Sequence, residues 1–297
     1  MKSGFVAVVG RANAGKSTLV NVLVGEKVAI VSPKPQTTRD RILGVLTTED
    51  YQIAFIDTPG IYKSSSLLNS TMQKTASESC KDVDLILLVI DGHSGLSEAD
   101  IKTVEKFKNS QVPLIVVLSK TDIMTEKLLI SEIKSLSNLN VPIVPVSARK
   151  GKNLKELLRV ILSNLTLDEK IFAEDIVSDR SERFMISEIM REKILLKFQD
   201  EIPHGVAVIV NEFKLDDKKE IYNISLDIIC EKPNHKAILI GKSGSAIKEV
   251  SSFARVSMEK FLGKKVFLTT YVKVEEDWRN SARLLKEFGY KDNGFFE

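Results

Sequence analysis

The residues from Gly10 to Ser17 have the types and spacing of a loop that binds a phosphate chain. They follow an apolar run and precede a helical pattern, which places the loop between a strand and a helix. Glycines in such a loop let the backbone wrap an anion so that successive N–H groups point inward. The helix N-terminus adds unpaired donors and a partial positive charge. Lys16 is placed for the β- and γ-phosphates and Ser17 for Mg²⁺. The predicted contacts are Gly10, Arg11, Ala12, Asn13, Ala14, Gly15, Lys16, Ser17 and Thr18.

A second motif, Asp57-Thr58-Pro59-Gly60, ends a predicted strand about 40 residues after this loop. An Asp at a strand end, with a Gly three residues on, suits Mg²⁺ coordination and a backbone N–H at the γ-phosphate. The tetrapeptide alone is also a good turn sequence. Its position after a phosphate-binding loop is what makes it significant.

A third motif, Ser119-Lys120-Thr121-Asp122, indicates which base is bound. The Asp122 carboxylate can accept both N1–H and N2–H of guanine, whereas adenine presents an acceptor at N1 and would be repelled. Losing those charge-assisted bonds would cost several times the ~0.5–1.5 kcal/mol of one neutral hydrogen bond, so the motif selects GTP over ATP. The stem of Lys120 can pack over the base. Backbone N–H groups of Ser147, Ala148 and Arg149 are predicted to reach guanine O6.

The hydrophobic pattern supplies the elements that position these motifs. Buried-type strands are predicted over 5–9, 52–56, 85–90, 114–118 and 142–146, and an added strand over 41–47 pairs with 52–56. Helical spacing occurs over 18–24, 69–79, 99–108, 127–136 and 154–165. We therefore predict an α/β domain over 1–166, with a doubly wound, mostly parallel sheet and one antiparallel edge strand. Its ligands should lie at the carboxyl ends of the strands.

After a predicted linker over 167–180, the pattern changes to α+β over 181–297. The loop Gly241-Lys242-Ser243-Gly244 is predicted to lie between a strand that ends at 237–240 and a helix over 246–262. In KH domains a GXXG loop clamps the backbone of about four nucleotides. From Lys232 to Lys265 there are eight basic and two acidic residues. A flexible turn and a solvated helix face are the structural alternatives.

These motifs together resemble the Era family, the KH-domain GTPases of the translation-factor-related class, over essentially the whole chain. Residues Pro35-Gln36-Thr37-Thr38-Arg39-Asp40 resemble that family's first switch, and 272–279 continue the similarity. The resemblance implies a P-loop GTPase domain followed by a type II KH domain. It also implies that Thr38, rather than Thr37, completes the Mg²⁺ shell with Ser17 and Asp57 in the GTP state.

The resemblance further implies binding to single-stranded RNA near the 3′ end of small-subunit ribosomal RNA, and assistance in assembly of the small ribosomal subunit. The implied RNA contacts are Ile240, Gly241, Lys242, Ser243, Gly244, Ile247 and Lys248. Trp278 could stack on a base or belong to the core. A different hypothesis is a regulatory GTPase whose basic C-terminal domain binds protein or the inner membrane surface.

Two departures from related families bear on nucleotide binding and on hydrolysis, respectively: the first is expected to weaken binding by about one hydrogen bond, ~0.5–1.5 kcal/mol, with guanine preference retained. Ser119 stands where such families usually have Asn, and Ile61 stands where Ras-like proteins carry a water-orienting Gln. Two interpretations of Asn13 stay open: it holds a K⁺ that neutralises developing charge, or it tolerates an unusual loop dihedral. The predicted catalytic residues are Asn13, Lys16, Thr38 and Gly60.

Composition limits the remaining possibilities. A chain of 297 residues is long enough for two domains, and a net charge of +3 does not by itself indicate nucleic-acid binding. Cys80 and Cys230 lie far apart in apolar or helical contexts, so we expect structural thiols. With no signal peptide and no apolar run of about 20 residues, we expect a cytoplasmic monomer, with peripheral contact at the inner membrane as an open alternative.

Overall fold

The computed structural model describes residues 1–60, 66–166 and 168–290. In the N-terminal domain, strands and helices alternate as predicted, with ends shifted by a few residues. The strands are β1 (Lys2–Val9), β2 (Ile42–Thr47), β3 (Tyr51–Asp57), β4 (Leu85–Asp91), β5 (Leu114–Ser119) and β6 (Ile143–Pro145). The helices are α1 (Lys16–Val24), α2 (Leu67–Glu78), α3 (Glu98–Lys108), α4 (Glu126–Ser137) and α5 (Leu154–Asn164).

The six strands form one sheet in the order β2-β3-β1-β4-β5-β6, and β2 alone is antiparallel to its neighbour. Helices cover both faces, so alternate residues of β1 enter two different cores. Val6 and Val8 pack on one side, and Ala7 and Val9 pack on the other. This double burial explains the unbroken apolar runs of the sequence. The predicted doubly wound sheet with one antiparallel edge strand is confirmed.

Residues 168–180, within the predicted linker, lie along the N-terminal domain. The N–H of Val45 on the edge strand β2 donates to the carbonyl of Val177 at 2.8 Å, and Gly44 forms an isolated bridge with Ser178. Gln52 accepts from the N–H groups of Ile171 and Phe172 at 2.8 Å each. The contacts at Val45 and Gly44 cover the open edge of the sheet, which would otherwise present unpaired backbone groups, and those of the Gln52 side chain anchor the start of the segment.

The C-terminal domain consists of α6 (Glu182–Lys197), β7 (Ala207–Asp216), β8 (Ile221–Cys230), α7 (Pro233–Ile240), α8 (Ser245–Leu262), β9 (Lys265–Val274) and α9 (Ala282–Glu287). Its sheet has the order β7-β8-β9, in which β8 pairs antiparallel with β7 and parallel with β9. Helices α6, α7 and α8 contribute to the core against this sheet. The α+β prediction is confirmed.

One predicted element is wrong. The strand expected over 237–240 is the end of helix α7, so the GXXG loop joins two helices. A short apolar run is equally compatible with a buried strand and with a helix segment. Pro233 at the first helical position marks the true start of this element.

The two domains meet around Trp278. This residue is fully buried with Leu68 and Met72 of α2, and its indole Nε1–H donates to the carbonyl of Gly205 at 3.0 Å. Trp278 is therefore a core residue and not a base-stacking one. No helix in the described part of the chain combines the length and apolar character that crossing a bilayer demands.

Candidate functional site

The loop between β1 and α1 has a backbone that requires glycine at both ends. Gly10 has φ of 147°, and a Cβ there would lie 2.2 Å from the carbonyl oxygen of Val89. Gly15 has φ of 97° and stands at the N-cap of α1, where it offers no capping side chain. The first N–H groups of the helix therefore point to the loop without a side-chain acceptor, as an anion site requires.

Lys16 is buried and folded over this loop. Its Nζ donates to the carbonyls of Gly10 (3.2 Å) and Arg11 (3.0 Å). Burial lowers the pKa of Lys16, and the nearby Asp57 carboxylate opposes that shift. A phosphate chain in the loop would supply the negative charge that a buried ammonium lacks.

The three predicted metal ligands meet at one point. Ser17 Oγ donates to Asp57 Oδ2 at 2.6 Å and lies 2.8 Å from Thr38 Oγ1. Thr38 Oγ1 lies 3.3 Å from the same carboxylate oxygen. Thr37 points elsewhere, since its hydroxyl donates to the carbonyl of Lys34 at 2.6 Å.

Asp57 has the electrostatics of a cation ligand. Burial raises its pKa, and the Lys16 ammonium is the strongest opposing influence. Its buried Oδ1 has no hydrogen-bond partner in the described residues. An orphaned carboxylate oxygen beside two hydroxyls is a donor set of hard oxygens, which fits Mg²⁺.

The Asp57-Thr58-Pro59-Gly60 motif is anchored against the phosphate loop. Thr58 and Pro59 are buried, and the Thr58 hydroxyl donates to the carbonyl of Val8 at 2.9 Å. A Cβ on Gly60 would lie 2.8 Å from the backbone N of Ala12, so the close approach requires glycine. Ile61, also predicted at this site, lies outside the described residues.

Asn13 adopts φ of 63°, the left-handed conformation that asparagine tolerates well. This agrees with the dihedral interpretation and leaves the K⁺ interpretation open. Asn13 also lines the cavity of about 640 Å³ that contains Lys16, Ser17 and Thr38. Asn13 therefore borders the same cavity as the predicted phosphate and Mg²⁺ ligands.

The base motif lines a cavity of about 230 Å³, bordered by Ser119, Lys120 and Asp122 among others, and Lys120 borders the 640 Å³ cavity as well. Lys120 Nζ pairs with Asp91 at 2.7 Å. Asp122 Oδ1 accepts from the Ser147 hydroxyl at 2.6 Å, and this bond lowers the pKa of Asp122. The bond thus favours the ionised form of the carboxylate. Thr121 Oγ1 is buried without a hydrogen-bond partner in the described residues.

One detail of the predicted base contacts is corrected. The Ser147 N–H donates to the carbonyl of Lys152 at 3.2 Å, because a turn closes there. Ser147 contributes its hydroxyl to Asp122 instead. A contact to guanine O6 would therefore come from Ala148 or Arg149, both of which line the 230 Å³ cavity.

The Ser119 hydroxyl has only one proton with which to donate a hydrogen bond to the phosphate loop. Its Oγ lies 2.6 Å from the carbonyl of Ala14 and 3.0 Å from that of Ile90, and one hydroxyl proton can serve only one of them. An asparagine amide has two N–H donors. We expect Ser119→Asn to tighten GDP binding by about 2–10-fold, the equivalent of one hydrogen bond. Titration of fluorescent GDP measures this, with Ser135→Asn on exposed α4 as the control. Unchanged affinity in Ser119→Asn would contradict it.

The GXXG loop is a tight connection between α7 and α8. Gly241 has φ of 72°, and a Cβ there would lie 2.7 Å from Cβ of Ala246. Gly244 has φ of 77° with open space around it, so only its backbone conformation requires glycine. Ser243 has φ of 51°, and its side chain is exposed. Ile240 is half-buried and Ile247 packs against the domain core.

Lys242 of this loop and Lys248 in the first turn of α8 are exposed. Lys264 pairs with Glu220 at 2.9 Å and Arg255 with Glu259 at 2.8 Å. Across residues 1–60, 66–166 and 168–290, no ion pair involves Lys242 or Lys248. Their charge is therefore available to a phosphate backbone.

Two arginines that sequence analysis did not single out cross between the domains. Arg39 of the switch segment (residues 33–40) is buried and donates to the carbonyls of Val206 (2.6 Å) and His204 (2.7 Å). Arg191 of α6 donates to the carbonyl of Gln36 at 3.2 Å and to that of Thr37. No local pattern identifies such contacts, because they join residues more than 150 positions apart.

Two family models match the chain. One, described as a 50S ribosome-binding GTPase, matches residues 5–120, and the other, described as a KH domain, matches residues 201–279. The protein is also similar over nearly its full length to GTPase Era of Clostridium kluyveri, with 44% identity over 293 residues that cover 98% of this chain and 100% of that one. GTPase Era of Clostridium perfringens is 44% identical over 292 residues, 98% of each chain.

Two solved structures have the same architecture. One is Aquifex aeolicus Era, a tyrosine-to-alanine variant bound to GDP·AlF4⁻; the other is Era in complex with MgGDPNP and nucleotides 1506–1542 of 16S ribosomal RNA. Each superposes with a TM-score of 0.93 at 40% identity, and covers 98% of this chain and 99% of the other. The aligned part of each chain includes both domains.

Proposed function

This chain belongs to the Era family of GTPases, and on that basis we propose that it is a GTP-driven switch that binds small-subunit ribosomal RNA near its 3′ end and assists assembly of the small subunit. It hydrolyses GTP to GDP and phosphate. The observation that carries the proposal is the presence, in one chain, of a guanine-nucleotide site and a GXXG loop with free lysines. The relative bound to MgGDPNP and 16S ribosomal RNA supports the pairing of these two ligands.

The residues of the nucleotide site fit GTP, GDP and Mg²⁺. Lys16 and the N–H groups of the loop would bind the β- and γ-phosphates, and Asp122 would accept from guanine. Ser17, Thr38 and Asp57 would hold Mg²⁺, and Asp57 Oδ1, which has no hydrogen-bond partner in the described residues, would be free to do so. When bound there, Mg²⁺ neutralises charge on the phosphate oxygens. The Gly60 N–H would bind the γ-phosphate.

The RNA site rests on the geometry around the GXXG loop. Gly241 and Gly244 allow the sugar-phosphate backbone of an RNA strand to approach the start of α8. Lys242 and Lys248 add positive charge on that side. Ile240 and Ile247 would form the apolar floor under the bases. The domain division that goes with this proposal is 1–166, 167–180 and 181–297, and we place the protein in the cytoplasm as a monomer.

The RNA partner is tested with oligonucleotides. We expect selective binding of the 3′-terminal small-subunit sequence over a scrambled sequence of equal length. Lys242→Ala/Lys248→Ala should lower the slope of log affinity against log salt by about 1.4, because two phosphate contacts are lost. Lys264→Ala/Lys265→Ala, which removes lysines that pair with glutamates, is the matched control. Equal binding of the scrambled RNA would contradict the proposal and favour a protein or membrane partner. Crosslinking in cells then locates the bound sequence.

We also propose that Asn13 helps to hold a K⁺ beside the phosphates, in place of an arginine finger. Hydrolysis is then expected to be faster in KCl than in NaCl of matched ionic strength, and Asn13→Ala should remove the difference. Intrinsic turnover should be slow, on the order of 10⁻⁴–10⁻³ per second as for unassisted Ras. Equal rates in the two salts would contradict the K⁺ proposal and leave tolerance of the left-handed backbone conformation as the role of Asn13.

A further inference from the structure

We propose that Arg191, on the C-terminal domain, is a positioning residue for the metal ligand Thr38. The C-terminal domain would thereby complete the nucleotide site of the other domain. This inference rests on the proposed function, since it assigns the residues through which the two domains influence GTP binding. It goes further in placing part of the support for Mg²⁺ outside the GTPase domain.

Arg191 is rigidly oriented. Its side chain is 1% exposed, and its Nε donates to Glu188 Oε1, one helical turn earlier, at 2.7 Å. The second guanidinium nitrogen pairs with Glu188 Oε2 at 2.5 Å. A guanidinium held in this fork presents its remaining donors in a fixed direction. They go to the carbonyls of Gln36 and Thr37.

Those two peptides lead directly into Thr38, so the arginine fixes the approach of the chain to the metal site. Gln36 has φ of 59°, a conformation that residues other than glycine rarely adopt. Such a turn persists only where its surroundings enforce it. Arg191 donates to the two successive carbonyls, those of Gln36 and Thr37, that follow this turn and lead to Thr38.

On the other side of Thr38 the contact runs in the other direction, from the N-terminal domain into the C-terminal domain. Arg39 enters the C-terminal domain, where it also contacts Tyr290 Oη at 3.1 Å and lies 5.9 Å from the ring centroid of Trp278. Among residues 1–60, 66–166 and 168–290 it forms no ion pair with a carboxylate, and Asp40 pairs with Arg180 instead. A buried cation held only by neutral groups is costly to keep. The position of Arg39 therefore depends on the domains staying docked.

Thr38 is thus fixed at both neighbours by the C-terminal domain. Ligand effects on such an arrangement are reciprocal: docking should favour the nucleotide that needs Thr38, and that nucleotide should favour docking. A GTP analogue with Mg²⁺ uses Thr38, whereas GDP binding relies on the phosphate loop and the base cavity. Loss of the Arg191 contacts should therefore weaken binding of the analogue selectively.

The test uses the full chain and the variant Glu188→Gln/Arg191→Met, which removes both charges of the buried pair together. We expect affinity for a non-hydrolysable GTP analogue with Mg²⁺ to fall about tenfold relative to GDP, as for one lost charge-assisted bond. The Mg²⁺ concentration needed for analogue binding should rise with it. Lys27→Met is the matched control, because it breaks a different interdomain pair, with Glu192 (2.9 Å), that has no hydrogen bond to residues 33–40 in the described part of the chain. Thermal melting verifies that both variants fold.

An unchanged analogue-to-GDP ratio in the folded double variant would overturn the inference. An equal loss in Lys27→Met would also overturn it, since general loosening of the domains would then be the cause. Should the double variant fail to fold, Arg191→Lys, which keeps a cation beside Glu188 but lacks the guanidinium fork that reaches both carbonyls, is measured against the same two outcomes. If the unaltered chain bound neither nucleotide, the proposed function itself would fail. If it binds and hydrolyses GTP and only the variant result is negative, the inference about Arg191 alone fails.

Discussion

Asp122→Asn is expected to lower GTP affinity by about 10²–10⁴-fold, because a site built to pair with two guanine donors would meet them with one acceptor and one donor. The amide N–H₂ would face the guanine N2–H₂. In the native site the Ser147 hydroxyl donates to this carboxylate and lowers its pKa. Titration with fluorescent GTP measures the loss.

The same variant provides its own positive control. Xanthine carries an oxygen acceptor in place of the guanine amino group, so Asp122→Asn should bind XTP more tightly than GTP. Asp50→Asn, in the exposed turn before β3, should leave both affinities unchanged. If Asp122→Asn lost GTP and XTP alike, base pairing by this side chain would not be the cause.

Lys16→Met is expected to lower GTP turnover by about 10²–10³-fold, the typical cost of removing one donor that stabilises transition-state charge. Methionine keeps the length of the side chain and removes its cation. Mg²⁺ binding should weaken as well, since Lys16 is the strongest influence that lowers the pKa of Asp57. Without it, the pKa of Asp57 rises further and metal binding weakens as pH falls.

Single-turnover hydrolysis with saturating nucleotide isolates this effect from binding. Lys102→Met, on the exposed face of α3, controls for loss of a positive charge. A Lys16→Met protein that hydrolysed GTP at the native rate would show that the Lys16 cation does not stabilise the transition state.

The N-terminal domain and its site could largely be predicted from the sequence because the signals are local. An unbroken apolar run such as β1 indicates a strand covered on both faces. The glycines of the phosphate loop determine its backbone conformation. Asp57 and Ser119 are the last residues of β3 and β5, and so both lie where the strands of the sheet end. Spacing therefore indicated which side chains meet.

The rest depends on contacts between distant parts of the chain. Helix α7 was missed because its last four residues form an apolar run with no diagnostic period. Arg39 and Arg191 carry no sequence signal of their own, since burial of each depends on how two domains dock. Segment 168–180 has a mixed composition, and only the open edge of β2 explains its course.

The burial of Trp278 has a practical consequence. It is the one tryptophan of the chain, and α2 of the N-terminal domain covers it. Separation of the domains would bring water to the indole, whereas docking keeps it dry. The intrinsic fluorescence of Trp278 therefore reports on domain docking, and it can be followed in the unmodified protein as nucleotide and RNA are added.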